Sequence, residues 1–291
     1  MPSNISFSVI GGDLRHTNVA NYLAADGYDV TAFAVDYTSS SKKVTIAGNL
    51  INAVSSCSYI ILPMPLTIDS ISVNSPFYDG NIYIKDVILN SPSNAIVFAG
   101  QIPNDITCLA KTYNIKIIDY LLIEDLATLN AIPTAEGAIQ IAMENTPFTI
   151  HNSKCLITGY GRIGKMLASR LKALGADVTV SARKASDFAL IDAASYNYIF
   201  TGKISQIAGN RDIIFNTIPY PVFDKKVLSK IKEHTLIIDL ASKPGGVDFD
   251  ASAKLGIKTI RALSLPGKVA PLTAAKIIKD TIINITKEIA M

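Results

Sequence analysis

The sequence predicts an α/β protein made of two doubly wound parallel-sheet domains, and three observations carry that prediction. Short apolar runs alternate with helix-period segments along all 291 residues, the pattern of parallel strands joined by crossover helices. A βαβ unit opens the chain, and a second, with a glycine-rich turn, begins near Lys154. A chain of this length also exceeds what one ordinary core supports.

Taken in order, Ile5 to Ile10 alternates as a strand, Gly11-Gly12-Asp13-Leu14-Arg15 follows, then a helix with Val19, Tyr22 and Leu23, and a strand from Tyr28 to Phe33. Gly-Gly-Asp lacks three-glycine spacing and puts a carboxylate where a phosphate should approach, so this turn reads as part of a substrate domain. Lys42 to Ser56 has no clear period. Ser58 to Leu62 is a buried strand stopped by Pro63-Met64-Pro65, and Leu66 to Asp79 is a polar loop at the sheet edge where ligands bind. Asn94 to Ala99 and Ile115 to Ile118 are further strands, with a helix near Asn104 to Tyr113 between them. Tyr120 to Asn130 is helical. Ile132-Pro133-Thr134 breaks that helix, and Thr134 caps a linker helix over 134–146.

The second half is organised by Lys154 to Arg183. Cys155 to Thr158 is a buried strand, Gly159-Tyr160-Gly161-Arg162-Ile163-Gly164 is the turn, and Lys165 to Leu174 places Met166, Leu167, Leu171 and Leu174 on one helix face. Val178 and Val180 make the next strand, closing a Rossmann-like fingerprint within about thirty residues. Gly159 permits the tight turn, Gly161 lets backbone approach a pyrophosphate, and Gly164 lets helix pack on strand. The helix N-terminus offers N–H groups and partial positive charge to phosphates, and Arg162 adds a cation. An NAD site puts Asp or Glu about twenty residues past the glycines. Ser181-Ala182-Arg183-Lys184 stands there instead, which selects NADP, with Arg183 as a planar donor fork and Ser181 as a hydroxyl donor.

Strands follow at Tyr196 to Phe200, Asp212 to Phe215, Thr235 to Leu240 and near Ile257 to Ile260. From Thr273 to Ile289, Ile277, Ile278, Thr281, Ile282, Ile285 and Ile289 share a helix face, expected to return to the first domain. The expected organisation is therefore a Rossmann-like substrate domain over 1–131 joined by helix 273–291, a Rossmann NADP domain over 132–272, and a cleft between them. Three post-strand segments become site candidates. Asn216-Thr217-Ile218-Pro219 should border the cofactor. Asp239-Leu240-Ala241-Ser242-Lys243-Pro244-Gly245-Gly246, then Asp248, and the turn Leu265-Pro266-Gly267-Lys268 each bring a cation suited to an anionic substrate. His151 and His234 stand at amino ends of strands, which leaves His16, in the first ligand-edge loop, as the acid–base candidate.

Composition excludes several classes. Hydrophobic content of 49%, charged content of 18% and mean hydropathy of +0.31 describe a globular chain. No run approaches the eighteen apolar residues of a membrane span, and Met1-Pro2-Ser3-Asn4 lacks the basic start of a signal peptide, so a cytoplasmic location is expected. A net charge of +3 without a basic tract gives nucleic-acid binding no support. Cys57, Cys108 and Cys155 are too scattered for zinc or a disulfide framework and read as reduced core residues.

Several stretches together resemble the dipicolinate synthase A-subunit family: Gly11-Gly12-Asp13 with Arg15, Ile132-Pro133-Thr134-Ala135-Glu136-Gly137, and Thr149-Ile150-His151 leading into the fingerprint. Asn216 to Pro219, Asp239 to Gly246 with Asp248-Phe249, and Leu265-Pro266-Gly267 with Ala270-Pro271 complete the set and cover both domains. The resemblance implies NADP-dependent oxidation of a dihydrodipicolinate-type ring to pyridine-2,6-dicarboxylate in endospore formers. It also implies a partner, the flavoprotein-like B subunit of dipicolinate synthase. Ser264, where glycine is expected, and Lys268, where an apolar residue is expected, depart from the pattern. The chemistry agrees with the residues: a dianion needs cations and hydroxyls, which Arg15, Lys243, Lys268, Ser242 and Thr134 can supply. Glu136 and Asp13 are the possible proton acceptors. Two alternatives stand beside this reading: an NADP-dependent dehydrogenase of another small carboxylic acid, and a non-catalytic NADP-binding scaffold or regulatory subunit. Homo-oligomer formation is left open.

Overall fold

The computed structural model describes residues 5–290. Met1 to Asn4, read above for a targeting signal, and Met291, the last residue of the 273–291 helix, lie outside the described residues. Contacts between Cα atoms divide the chain into two compact units, 1–130 with 270–291, and 131–269.

The first unit runs β1 (Ser6–Ile10), α1 (Leu14–Ala25), β2 (Asp29–Phe33), β3 (Thr45–Ile46), α2 (Leu50–Val54), β4 (Tyr59–Ile61), α3 (Ile84–Asn90), β5 (Ile96–Ala99), α4 (Asn104–Thr112) and β6 (Lys116–Asp119), then enters α5 (Glu124–Asn145). Its sheet is parallel, in the order β3-β2-β1-β4-β5-β6. The strands are apolar on both faces because both faces are covered. Phe7, Val9, Ile61 and Phe98 pack with Val19, Ala20 and Leu23 of α1 on one side, while Ile10, Ile60, Leu62 and Val97 pack with Val54, Val87, Ile88 and Ile106 on the other.

The second unit runs β7 (Lys154–Thr158), α6 (Arg162–Ala173), β8 (Asp177–Ala182), α7 (Ala185–Ala193), β9 (Asn197–Phe200), β10 (Ile213–Asn216), α8 (Lys225–Leu228), β11 (Leu236–Asp239), α9 (Phe249–Lys254), β12 (Thr259–Arg261) and α10 (Leu265–Val269). The order β12-β11-β10-β7-β8-β9 is that of the first sheet with the strands renumbered. Both are therefore the doubly wound arrangement whose ligand crevice lies where the strand order reverses, between β1 and β4 and between β7 and β10. The last helix, α11 (Pro271–Ala290), belongs to the first unit, where Ala275, Ile278 and Ile282 join the cluster around α1.

Four expectations need correction. Pro133 does not break a helix: α5 is continuous, so Thr134 is interior rather than an N-cap, and the 134–146 linker helix is not a separate element. An internal proline costs about 3 kcal/mol, and here it is outweighed by burial of Ala131, Ala135, Ala138, Ile139 and Ala142 along one face. The unpatterned Lys42 to Ser56 holds β3 and α2, tied by the bond from Ala47 N to Ala32 O and by the Asn49 side chain capping Asn52 N; elements of two and five residues are too short to show a period. Leu265 to Lys268 is the start of a short helix, with Pro266 in its first turn where a missing N–H costs nothing. Of the cysteines, Cys57 and Cys155 are buried, and burial pushes each thiol up to about 11, but Cys108 is exposed on α4.

Candidate functional site

The turn after β7 is built from backbone. Gly159, at φ 92°, donates its N–H to Ser181 O at 3.0 Å. A Cβ there would meet Thr217 Oγ1 at 2.6 Å, and one on Gly164 would collide with the Gly159 carbonyl, so both positions require glycine for close approach. Gly161 is the N-cap of the twelve-residue α6, no side chain caps that helix, and a Cβ built on Gly161 meets nothing within 4 Å. A helix N-terminus presented through bare backbone fits a diphosphate, whose oxygens take the N–H groups directly. Arg162 and Gly161 are exposed, and the Lys165 ammonium lies 5.5 Å from the Tyr160 ring centre.

At the end of β8, Arg183 and Lys184 are exposed, and α7 begins behind them without a side-chain cap. Ser181 does not join them. It lies inside the strand, paired between Thr158 and Ile199, wholly buried, with its hydroxyl 3.3 Å from Thr201 Oγ1. The strand runs two residues further than that side-chain role required, which leaves Arg183 and Lys184 as the exposed cations at its end.

The ends of β10 and β11 carry buried polar groups. Thr158, Asn216 and Asp239 are direct neighbours across three strands, and all three are fully buried. Beyond them, Thr217 donates to Thr158 O through both N and Oγ1, at 3.1 and 2.7 Å. Ile218 is half-buried and Pro219 exposed; Leu240 and Ala241 are buried; Ser242 and Lys243 are exposed at the tip of the next loop. Pro266 is buried, Gly267 half-buried and Lys268 exposed. Sequence reasoning read Thr158 only as the end of a buried strand and Asp239 only as the first residue of a candidate segment, without their link through Asn216. The signal was present: Ile-Ile-Phe-Asn and Leu-Ile-Ile-Asp each end an apolar strand on a polar residue, and the two ends pair.

The turn after β1 is sealed by the chain itself. Gly12 donates its N–H to Asn74 O at 2.8 Å, so the 66–79 stretch lies against the turn. Asp13 caps α1 by accepting from Arg15 N at 3.0 Å and also takes the Arg15 guanidinium through Nε at 2.9 Å and Nη2 at 2.8 Å. Arg15 Nη2 donates further to Met64 O at 2.6 Å. Arg15, expected as a substrate anchor, is therefore buried with its Nε and Nη2 donors engaged. Burial acts to raise the Asp13 pKa, but the close His16 and the Arg15 hydrogen bonds override it and hold the carboxyl well below the usual range, which makes Asp13 a poor proton acceptor. His16 is not in a loop but in the first turn of α1, wholly buried, with Nε2 3.2 Å from Tyr120 Oη and Nδ1 3.6 Å from Asp13 Oδ1, beyond hydrogen-bond reach. Tyr120 in turn donates to Leu62 O at 3.1 Å. Burial lowers the His16 pKa, partly opposed by the Asp13 carboxylate, with Arg15 adding to the lowering. Glu136 pairs with Arg170 of α6 at 3.4 Å, and Thr134 is half-buried on the same helix. His151 and His234 are exposed.

Among the described residues, no group of three or more His, Cys, Asp or Glu is placed to hold a metal, and no helix is long and apolar enough to cross a membrane.

Comparison with known proteins separates the two units. Residues 6–121 match the family model for the dipicolinate synthase A-subunit N-terminal domain, and residues 133–251 match that for the D-isomer specific 2-hydroxyacid dehydrogenase NAD binding domain. The A subunit of dipicolinate synthase from Bacillus subtilis (strain 168) is 32% identical over 99% of this chain and 98% of its own length. The crystal structure of the dipicolinate synthase A chain from Bacillus subtilis covers 100% of this chain and 98% of its own with a TM-score of 0.90 at 31% identity. That of the A subunit from Bacillus halodurans covers 98% of each with a TM-score of 0.91 at 32% identity. The second unit is thus a nicotinamide-dinucleotide domain of dehydrogenase type.

Proposed function

Because the chain belongs to the dipicolinate synthase A-subunit family, we propose that it oxidises a dihydrodipicolinate-type ring to pyridine-2,6-dicarboxylate using NADP. The observation that carries this reading is the α6 N-terminus at Gly161, open and uncapped, with Arg183 and Lys184 exposed beyond the neighbouring strand. An NADP held there by its diphosphate would supply the acceptor for a hydride from the ring carbon, with the accompanying proton released to solvent and aromatisation contributing much of the driving force.

The chain's own residues bind and orient. Gly161 and the first turn of α6 take the diphosphate, and Arg183 with Lys184 and the α7 N-terminus take the 2′-phosphate, where a carboxylate would repel it. Thr217, Ile218 and Pro219 line the nicotinamide end, with Leu240, Ala241, Pro266 and Gly267 behind. Ser242 and Lys243, exposed on one loop, and Lys268 bind a substrate carboxylate. Arg15, already engaged, shapes the first unit's edge and keeps Asp13 ionised. The partner is a second, flavoprotein-like subunit.

The test measures dipicolinate by its absorbance, and NADPH by fluorescence, with this chain on its own, the partner on its own, and both. Product with NADPH formation that requires this chain supports the reading; product from the partner on its own overturns it in favour of a scaffold. For cofactor choice, Arg183→Ala should weaken NADP relative to NAD by about 1.5–3 kcal/mol, the worth of a charge-assisted hydrogen bond. Equal losses in calorimetry would remove the 2′-phosphate assignment.

A further inference from the structure

The rim of the second unit carries an amide and a carboxylate whose burial none of these roles explains. Asn216 Oδ1 accepts from Thr158 Oγ1 at 2.5 Å and from Ile218 N at 3.2 Å. Its Nδ2 donates to Asp239 Oδ1 at 2.7 Å and to Ile218 O at 3.1 Å. Asp239 also accepts from Ala241 N at Oδ1 and from Gly246 N at Oδ2, both at 3.3 Å. Burying such a pair costs several kcal/mol unless every lone pair and proton is satisfied, and two leucines would fill strand ends more cheaply. What leucines could not do is grip two loops at once.

We propose that Asn216 and Asp239 are positioning residues that lock the loop after β10 to the loop after β11, fixing the wall against which the nicotinamide half of the dinucleotide is placed. The inference rests on the proposed function. Backbone bonds support it independently: Val222 N and Phe223 N both donate to Gly246 O, at 3.0 and 2.9 Å. A Cβ on Gly246 would collide with the Asn216 amide and the Ile218 carbonyl, so the second loop is pressed directly onto the first. The end of β8, which takes the adenosine ribose in this reading, makes none of these side-chain bonds, and the β7 turn meets the network only at its base, where Gly159 packs on Thr217 and Ile218. Loosening the network should therefore split the dinucleotide in two.

The experiment is calorimetry on the full chain with two ligands, NADP and 2′,5′-ADP, which carries the adenosine half alone. Asp239→Asn keeps the shape but sets an amide N–H against Gly246 N–H. It should weaken NADP about tenfold and leave 2′,5′-ADP within about twofold. The exchange Asn216→Asp with Asp239→Asn restores the amide–carboxylate bond in the opposite sense and should recover part of the loss. Should Asp239→Asn fail to fold, Thr158→Val, which removes one hydroxyl donor, carries the test with a smaller loss of the same selectivity. Equal weakening of both ligands, or none, would overturn the positioning role alone. A wild-type chain that binds neither ligand would overturn the proposed function and this inference with it.

Discussion

In the turn after β1, Asp13 is the N-cap of α1; in the turn after β7, Gly161 is the N-cap of α6, the same three residues beyond its strand. The sheets around them share one strand order. At the first turn a carboxylate takes the helix N–H, an arginine takes the carboxylate, and a loop carbonyl takes the remaining glycine N–H. At the second no side chain intervenes. The carboxylate of Asp13 thus occupies for α1 the role that a phosphate would fill for α6. One fold used twice can be closed at one switch point and open at the other through the identity of a single N-cap residue.

The largest effect expected from breaking this contrast comes from Gly161→Asp. A fixed anion at the α6 N-cap should cost dinucleotide affinity at least a hundredfold, roughly 3 kcal/mol, while thermal stability holds or rises slightly, because Asp caps a little better than Gly. Calorimetry and a melting curve on one sample check both halves; retained binding would show that the open cap is not where the phosphates sit. Next comes Gly12→Ala at the sealed turn. Gly12 has φ 89° and its added Cβ would strike the His16 ring, so urea unfolding should report a loss of about 2–3 kcal/mol.

The pH dependence should be equally one-sided. His16 is buried with a lowered pKa, so it stays neutral in the folded chain while the unfolded chain takes up a proton below about pH 6.5. The stability it allows is complete above that value and falls as pH drops toward the folded pKa, by up to about 1.4 kcal/mol per pH unit. His16→Asn should flatten that slope, and the open turn, which holds no histidine, should contribute nothing to it. The smallest effect concerns a left-handed residue. The sealed turn assigns positive φ to glycines, at 68° and 89°, but the second unit places Ser264 at 59°. Ser264→Gly should raise stability by about 0.5–1 kcal/mol in denaturant unfolding.

Much of this architecture was legible because parallel strands covered on both faces must be apolar throughout, and Cys155 to Thr158 or Thr235 to Leu240 could hardly be read otherwise. The fingerprint glycines were legible for the same kind of reason, since each answers a local steric demand. Continuity of α5 through Pro133 was not, because the burial that outweighs the proline comes from residues distant in sequence. Arg15 looked like a free cation because nothing near it in sequence except Asp13 announces a partner; Met64 O arrives from another strand end. Ser181 was misplaced by two residues of strand, enough to turn a surface hydroxyl into a buried one.

The return of α11 to the first unit has a consequence for synthesis on the ribosome. The stretch 131–269 is contiguous and can finish folding as soon as it emerges. The earlier-made unit cannot: Val19, Ala20 and Leu23 wait for Ala275, Ile278 and Ile282, which are translated only after the whole of the second unit. Nascent chains arrested before residue 270 should therefore be cut by protease in their first 130 residues and resist it in the later segment.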